Sequence, residues 1–159
     1  MITGFMFRIA NKQKNELVNV QVQVMLALFV DVNGTRTRQF FPLSLERKTV
    51  MLFPSSWTVV HQIDEDSPMF GMNQSDLVSA EAEYLIQLTG VDQTFYQSVH
   101  TWSSYRAEEV VEGAKFRSIY NNWQFNANGK ITIDISRLNE FDLVELPKLE
   151  IAALEEAEA

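Results

Sequence analysis

The 159-residue chain contains no cysteine, only two histidines, and six glycines that are scattered singly. Without thiols, a disulfide scaffold, an iron–sulfur cluster, a cysteine-ligated zinc and a thiol nucleophile are all excluded. Two histidines, His61 and His100, are too few for a three-histidine metal site within one chain. Phosphate-binding loops of the Walker or Rossmann type need clustered glycines and are excluded as well. We therefore predict no metal and no cofactor.

Long hydrophobic runs and a surplus of basic residues are also missing. The longest apolar run is Val24–Val30, seven residues, whereas a helix that crosses a membrane needs about 20. No secretory signal pattern opens the chain. The net charge of −8 argues against nucleic acid as a partner, because neutralising phosphates takes excess Lys and Arg. At 46% hydrophobic, the composition instead fits one soluble globular domain.

The charge is distributed unevenly along the chain. Residues 1–48 contain seven basic and three acidic side chains, a net of +4, so the remaining residues carry −12. The last twenty residues contain seven acids and one Lys. Such asymmetry is typical of a molecule that presents one end to an anionic surface. A solvated basic face with an acidic tail would give the same asymmetry.

Strand patterns dominate the sequence. Every even position from Val18 to Val30 is apolar, while Asn19, Gln21 and Gln23 are polar. This alternation predicts one long strand with one buried face. The later odd positions are apolar too, which predicts that this end of the strand is covered on both faces. The further predicted strands are Phe5–Ala10, Thr35–Phe40, Thr49–Phe53, Thr58–Gln62, Glu81–Gly90, Phe95–Tyr105, Lys115–Tyr120 and Lys130–Ile135.

Turn signals separate these strands, and helical patterns are few. The pairs Asn33-Gly34 and Asn128-Gly129 predict tight hairpins. Together these patterns favour an all-β, immunoglobulin-like β-sandwich with one or two short helices. We predict one domain over residues 1–148, followed by an acidic tail over residues 149–159. The helical candidates are Gln74–Ala80 with Asn73 or Ser75 as its cap, Ser136–Phe141 with Ser136 as its cap, and Leu149–Ala159.

The densest group of chemically capable side chains is His61 with Asp64, Glu65 and Asp66. It fits neither a four-ligand zinc site nor a calcium loop with its turn glycine. A structural interpretation fits better, in which Asp64 or Asp66 accepts backbone N–H bonds in a turn set up by Ser67-Pro68.

Other constellations keep alternative functions open. A Ser–His–acid hydrolase would use Ser103 or Ser104 with His61 or His100, although the Gly-x-Ser-x-Gly elbow is absent. A free-standing module that binds carbohydrate or protein would use exposed tryptophans. The three tryptophans are Trp57, Trp102 and Trp123.

Three basic residues near the start of the chain are a further candidate site. Arg8, Lys12 and Lys14 lie at and after the end of the first predicted strand. They would either bind phosphate oxygens or solvate the end of that strand.

Four stretches of sequence stand in a characteristic order from about Phe5 to Val144. They are Phe7–Asn11 with the basic stretch and Leu17-Val18 after it, Val60–Phe70, Ser103–Tyr105 and Glu109–Phe116. This order resembles the cytoplasmic domain of inward-rectifier potassium channels, and the short loops are similar to those of a prokaryotic member. The most specific signal is the string His-x-Ile-Asp-x-x-Ser-Pro. The signature residues, expected to be structural, are His61, Asp64, Asp66, Ser67, Pro68 and Tyr105.

The resemblance implies a sandwich that assembles as a homotetrameric ring at the cytoplasmic face of the plasma or inner membrane. In that family the ring extends the K⁺ pathway, and its upper face meets anionic membrane lipids. The Thr-x-Gly-Tyr-Gly filter of carbonyl oxygens is absent from this sequence. We therefore expect a detached gating and permeation domain that is not an enzyme.

The resemblance also assigns roles to single residues. Asn19 and Thr89 stand where strongly rectifying members have Glu, so weaker attraction for Mg²⁺ and polyamines is implied. Asp92 would supply another acidic ring, and Phe95 and Tyr96 would form a girdle in the membrane-facing loop. The implied pore-lining set is Asn19, Thr89, Asp92, Phe95, Tyr96 and Gln97.

The implied lipid interface consists of Arg8, Lys12 and Lys14. Lys14 matches the second of two basic family positions; Gln13 occupies the first, with Lys12 beside it as a substitute. Trp102 stands where the family usually has Arg, which argues against strong phosphoinositide regulation.

Overall fold

The computed structural model describes residues 3–13, 15–120 and 133–145. Helix in these ranges consists of α1 (Gln74–Ser79) and two 3-10 helices, Ala107–Glu109 and Ile135–Arg137. None of these helices is long and apolar enough to cross a bilayer. The strands are β1 (Gly4–Ala10), β2 (Leu17–Val32), β3 (Thr35–Pro42), β4 (Thr49–Leu52), β5 (Ser56–Gln62), β6 (Glu83–Asp92), β7 (Gln97–Arg106), β8 (Ala114–Phe116) and β9 (Phe141–Leu143).

The described strands pair antiparallel in three sheets. Five strands form the main sheet in the order β3-β2-β6-β7, with β4 pairing the first half of β2. β1 and β5 form a two-stranded ribbon, and β8 and β9 form another. Side chains from the β1–β5 ribbon and the main sheet share one hydrophobic core. The chain is therefore an all-β sandwich, as the alternation predicted.

The buried face of β2 forms the centre of this core. Val20, Val22 and Leu26 are nearly inaccessible, because every second side chain of a strand points to the same face. Phe5 of β1 stacks on Tyr84 of β6 with 4.0 Å between ring centroids. Burial raises the pKa of Tyr84 to about 12, since the phenolate would be poorly solvated there.

The second half of β2 is covered on both faces, as predicted. Ala27 is buried, and the ring of Phe29 lies under two guanidinium groups. Arg36 and Arg38 of β3 place these groups 4.5 and 5.4 Å from its centroid. Each guanidinium also pairs with a carboxylate at 2.9 Å, Glu81 and Glu83 respectively.

The local turn and cap signals are confirmed within the described residues. Asn33 and Gly34 have φ of 51° and 78° and join Val32 to Thr35 in a tight hairpin. Both values lie in the left-handed region, which Asn and Gly adopt at low cost. Asn73, one of the two predicted caps, accepts a hydrogen bond from the Asp76 backbone N–H at the start of α1.

Several predicted element boundaries are wrong. Glu81 has φ of 50°, so a turn follows α1 and β6 begins two residues later than predicted. Phe95 and Tyr96 belong to a turn rather than to β7. The strand predicted for Lys115–Tyr120 ends at Phe116, because the next carbonyl accepts a hydrogen bond from the Arg8 side chain.

The predictions near the end of the described chain are also corrected. Ser136–Phe141 is not an α-helix capped by Ser136. A 3-10 helix begins at Ile135, where a strand was predicted to end; Asp134 caps it and Phe141 opens β9. The predictions for Lys14, Asn128-Gly129, Trp123 and the tail at 149–159 lie outside the described residues.

Candidate functional site

His61 sits in β5 and is a fully hydrogen-bonded core residue. It is 2% exposed, and its Nδ1 lies 2.7 Å from the Ser44 carbonyl oxygen. A carbonyl only accepts, so Nδ1 carries the proton and Nε2 accepts from the Ser67 hydroxyl at 2.8 Å. The Ser67 oxygen in turn accepts from the Met69 backbone N–H at 3.2 Å. This arrangement joins β5 to the following turn.

The acidic residues after His61 form that turn. Asp64 Oδ1 accepts from the Asp66 backbone N–H at 3.2 Å, and the Ser67 N–H donates to the Asp64 carbonyl at 3.0 Å. In the described ranges, no group of His, Asp and Glu side chains has the geometry to hold a metal ion. The Asp64 carboxylate therefore shapes the turn, as the structural interpretation predicted for Asp64 or Asp66.

Within the described residues, His61 is not available as a catalytic base and Trp57 is not part of a sugar platform. Both ring nitrogens of His61 are bonded to Ser44 and Ser67, whereas Ser104 lies in the edge strand β7. Trp57 is 6% exposed and packs edge-on against Phe53, so its ring is not a surface platform. Of the two tryptophans in the described ranges, Trp102 is the exposed one, at 70%.

A hydrogen-bonded node joins two loops at one end of the main sheet. We call this the Asp92 node; it consists of Asn11, Asn15, Asp92 and Thr94. Asp92 Oδ2 accepts from Asn15 Nδ2 at 2.8 Å, and its Oδ1 accepts from the Thr94 N–H at 2.8 Å. Asn11 Nδ2 donates to the Asn15 carbonyl at 2.8 Å. The loop between β1 and β2 is thereby tied to the β6–β7 turn.

The carboxylate of Asp92 is held in its ionised form. The hydrogen bond from Asn15 is the largest cause that lowers the pKa of Asp92; burial opposes it, and bonds from Thr94 and Phe95 add to it. The side chain is 8% exposed and hydrogen-bonded within the turn. Its role in attracting cations stays a prediction.

Exposed aromatic and basic side chains project from the two loops that the Asp92 node connects. Phe95 and Tyr96 are 69% and 87% exposed in the β6–β7 turn, where Tyr96 has φ of 52°. Lys12 is exposed in the β1–β2 loop. The predicted girdle and one predicted lipid contact therefore lie at the same end of the sandwich.

Asn19 and Thr89 lie close together in the main sheet. Gln21 pairs directly with Thr89, and the register between β2 and β6 slips by one residue between Val18 and Gln21. Asn19 sits in this bulge with φ of 49°, a conformation that Asn tolerates better than most residues.

The open face of the main sheet is uncharged around Thr89. One row of directly opposed residues runs through Gln21, Thr89 and His100, and the next through Gln23, Gln87 and Trp102. Opposed residues share a face, so His100 and Trp102 extend this surface onto β7. Sequence reasoning considered His100 only as a hydrolase candidate, and it did not single out the node residue Asn15. Counting back across the β6–β7 turn would have paired His100 with Thr89.

β7 is an edge strand with both faces open over most of its length. Among the strands that the structure describes it pairs with β6 only, and Tyr105 alone of its ten residues is not exposed. Val99, Thr101 and Ser103 have the parity of the core face but stay accessible, because they lie opposite Gly90, Leu88 and Ile86 at the sheet's edge. An open edge of this kind is where another chain can pair or pack.

Arg8 is bound inside the chain. Its Nε donates to the Leu138 carbonyl at 2.9 Å, and its terminal nitrogens donate to the carbonyls of Arg117, Arg137, Leu138 and Glu140. The guanidinium also lies 4.3 Å from the centroid of Phe116. This contact fastens the β8–β9 ribbon to β1, whereas binding of lipid by Arg8 stays a prediction.

Comparison with known sequences identifies the family of the chain. The family described as inward rectifier potassium channel C-terminal domain matches residues 3–159. The chain belongs to this family. The inward rectifier potassium channel Kirbac3.1 of Paramagnetospirillum magnetotacticum is 29% identical over 136 residues, which cover 85% of this chain and 45% of that protein.

Vertebrate relatives are similar at comparable levels. Inward rectifier potassium channel 4 of Homo sapiens is 27% identical over 143 residues, covering 85% of this chain and 31% of that protein. ATP-sensitive inward rectifier potassium channel 12 of Gallus gallus is 25% identical over 146 residues, which cover 85% of this chain and 32% of that protein. The chain spans less than half the length of each relative. The predicted resemblance to inward-rectifier channels is confirmed.

In this inward rectifier domain the signature string forms a structural unit. His61 and Ser67 are buried partners, and Asp64 and Asp66 form the turn between them. Tyr105 reaches the core beside Phe7, with 6.3 Å between ring centroids. The string's hydrogen bonds join β5 to the turn before α1.

Proposed function

We propose that four copies of this chain surround the axis of a potassium channel and form its vestibule at the cytoplasmic face of the plasma or inner membrane. The observation that carries the proposal is β7, a ten-residue edge strand whose side chains are exposed on both faces. Membership of the inward rectifier family supports a K⁺ pathway that such a ring would extend. A ring in which each β7 packs against the next copy would cover this edge.

The chemistry of the open sheet face suits passage rather than tight binding of cations. Gln21, Gln87 and Thr89 offer dipoles without net charge. A neutral lining lets K⁺ pass while attracting Mg²⁺ and polyamines less strongly than a carboxylate ring would. We therefore propose weak rectification for a channel with this vestibule.

The Asp92 node supports a route by which a membrane signal reaches the pore. In the proposed orientation, Lys12 in the β1–β2 loop faces anionic headgroups while Phe95 and Tyr96 narrow the pathway. Asn15 and Asp92 join the two loops through a 2.8 Å hydrogen bond. Lipid bound at the first loop would thereby shift the second.

Light scattering of the purified chain tests the ring. We expect a mass four times the 18.3 kDa of one copy. Thr101→Glu places a carboxylate on the exposed core-side face of β7 and should raise the dissociation constant at least ~10-fold, because burying an unpaired charge is costly. Thr37→Glu, at another exposed Thr, on β3, is the matched control. A monomer at all concentrations would contradict the proposal.

A free-standing binding module is the second candidate function. Its support is Trp102, which is 70% exposed and lies directly opposite Gln87 on the open sheet face. It predicts a monomer whose tryptophan fluorescence changes with an oligosaccharide and no longer does so in Trp102→Ala. A tetramer without such a response would contradict it.

A further inference from the structure

The main sheet has two opposite edges that are open among the described strands. β7 pairs with β6 only and forms one edge, whereas β4 pairs with β2 only and forms part of the other edge, in line with β3. A ring of four copies related by rotation joins two different surfaces of each copy, because a contact between identical surfaces closes at a dimer. The surface that receives β7 in such a ring therefore lies elsewhere on the same chain.

β4 is better suited than β3 to receive another copy. Edge strands are commonly protected from pairing by charged side chains and by proline. β3 carries Arg36 and Arg38 and ends at Pro42, whereas the four residues of β4 include neither a charge nor a proline. Met51 and Leu52 of β4 are 83% and 62% exposed. β4 therefore presents apolar side chains at an unprotected edge.

β7 has the same character on the opposite side of the sheet. Its sequence contains no proline and no acid, and its one permanently charged side chain, Arg106, lies at its end. Val99 and Trp102 are exposed apolar residues of this strand. An open groove is lined by β4 together with Arg47 and Pro54. Apolar side chains of β7 would leave water on entering this groove, which favours association.

The register places β4 and the middle of β7 at the same height in the sheet. One row of directly opposed residues runs from Thr49 of β4 through Gln21 and Thr89 to His100 of β7. Thr101 lies one row further along. Rotation about the channel axis moves a residue around the ring without changing its height. With the strands of the main sheet running along the pathway, a row at the β7 edge of one copy meets the same row at the β4 edge of the next.

We propose that β7 of each copy packs against β4 of the next copy around the ring. The inference rests on the four-fold vestibule proposed above and names the two surfaces that build it. Each copy gives its β7 edge to one neighbour and its β4 edge to the other, so that the ring covers Met51 and Leu52 as well as Val99. Trp102 then lies beside the groove of the neighbouring copy.

Cross-linking through introduced cysteines tests which strands meet, because the chain has no cysteine of its own. Thr49→Cys with Thr101→Cys places one thiol on each strand, one row apart, and a short bismaleimide joins thiols that lie close together. In tetramers identified by light scattering, this double variant should give covalent dimers, trimers and tetramers on a denaturing gel. Each single variant should remain monomeric on that gel, because the ring keeps identical residues apart.

The matched control moves one thiol along the same edge of the sheet. Thr37→Cys with Thr101→Cys again replaces two exposed threonines. Thr37 lies opposite Val30, whereas Thr49 lies opposite Gln21, so the two positions are about 30 Å apart along β2 at about 3.3 Å per residue. The control should give no product beyond that of Thr101→Cys alone.

The mass and the gel separate the two proposals. A tetramer without cross-links in Thr49→Cys with Thr101→Cys, or with equal cross-linking in the control, would overturn the contact between β7 and β4 and leave the vestibule intact. Covalent dimers in Thr101→Cys alone would show that two β7 strands meet, which also overturns it. A monomer would overturn the vestibule and this inference with it.

Discussion

The two histidines of the chain occupy opposite environments. His61 is 2% exposed and bonded at both ring nitrogens, whereas His100 is exposed on the edge strand. A buried polar group that loses its partner costs about 1–3 kcal/mol, while most surface substitutions change stability by less than about 0.5 kcal/mol. Histidine is therefore expected to stabilise the fold at position 61 and to contribute little to stability at position 100.

Replacing His61 should destabilise the fold. His61→Ala leaves the Ser44 carbonyl and the Ser67 hydroxyl without their hydrogen-bond partner and opens a cavity. We therefore expect the free energy of unfolding to fall by about 3 kcal/mol. Urea titration followed by tryptophan fluorescence measures the change. His100→Ala is the control, with an expected change below about 0.5 kcal/mol. Equal effects of the two variants would refute the structural role of His61.

Asp92 makes stability depend on acid. Since its pKa is lowered in the folded chain, the ionised carboxylate stabilises the fold above the ordinary value of 3.8, and this contribution is lost as pH falls through the lowered value. Asp92→Asn should therefore be less stable than the wild type at pH 7, with the difference shrinking below about pH 4. Urea midpoints at several pH values measure it.

Glu65→Gln is the control for Asp92, because it removes an exposed carboxylate from a different turn. It should lower stability at pH 7 less than Asp92→Asn does. A difference between wild type and Asp92→Asn that stayed constant from pH 7 to pH 2 would show that the ionised carboxylate does not hold the turn.

At the scale of elements, Arg8 fastens the β8–β9 ribbon to β1. Arg8→Lys keeps the charge but loses the planar fork that reaches several carbonyls at once. We expect hydrogen exchange in Ala114–Phe116 and Phe141–Leu143 to accelerate by about tenfold or more, corresponding to roughly 1.4 kcal/mol. Arg36→Lys, at an exposed ion pair with Glu81, should leave these amides unchanged. Unchanged exchange in Arg8→Lys would show that positive charge alone suffices at this position.

Elements set by local signals were predictable from the sequence. The alternation of β2, the Asn33-Gly34 hairpin and the Asn73 cap each follow from side-chain parity or turn geometry over a few residues. Elements that end because of a distant contact were not. β8 ends at Phe116 because the carbonyl of the next residue, Arg117, accepts a hydrogen bond from the side chain of Arg8. These two residues are 109 positions apart in the sequence.

In the candidate site, too, features set by local sequence were predictable, whereas features set by distant contacts were not. The structural turn at Asp64 follows from local sequence, and the motif order identified the family. The bond between Asn15 and Asp92 joins residues 77 positions apart, and no periodicity encodes it. The pairing of His100 with Thr89 depends on where the β6–β7 turn lies, and the predicted strand boundary there was wrong by two residues.

At the scale of the whole molecule, charge asymmetry predicts binding to anionic membranes. Each basic residue near such a surface contributes about 1 kcal/mol. Lys12→Ala combined with Lys14→Ala should therefore weaken binding of the chain to phosphatidylglycerol vesicles by about tenfold or more at low salt. Vesicle co-sedimentation measures this.

The matched control for the lysine pair lies beyond the far end of β2. Arg36→Ala with Arg38→Ala removes the same number of positive charges, but these groups are already paired with Glu81 and Glu83. Equal loss of vesicle binding in both double variants would indicate attraction by net charge alone, without a lipid-facing end.

The bulge at Asn19 has a consequence for how chain length varies among related domains. One extra residue is absorbed in β2 there, and pairing is regular from Gln21 to Ala27. Deleting a residue within that regular stretch would exchange buried and exposed side chains along part of the strand. Deleting Asn19 would instead straighten the ladder, so evolutionary insertions and deletions in this strand are expected at the bulge.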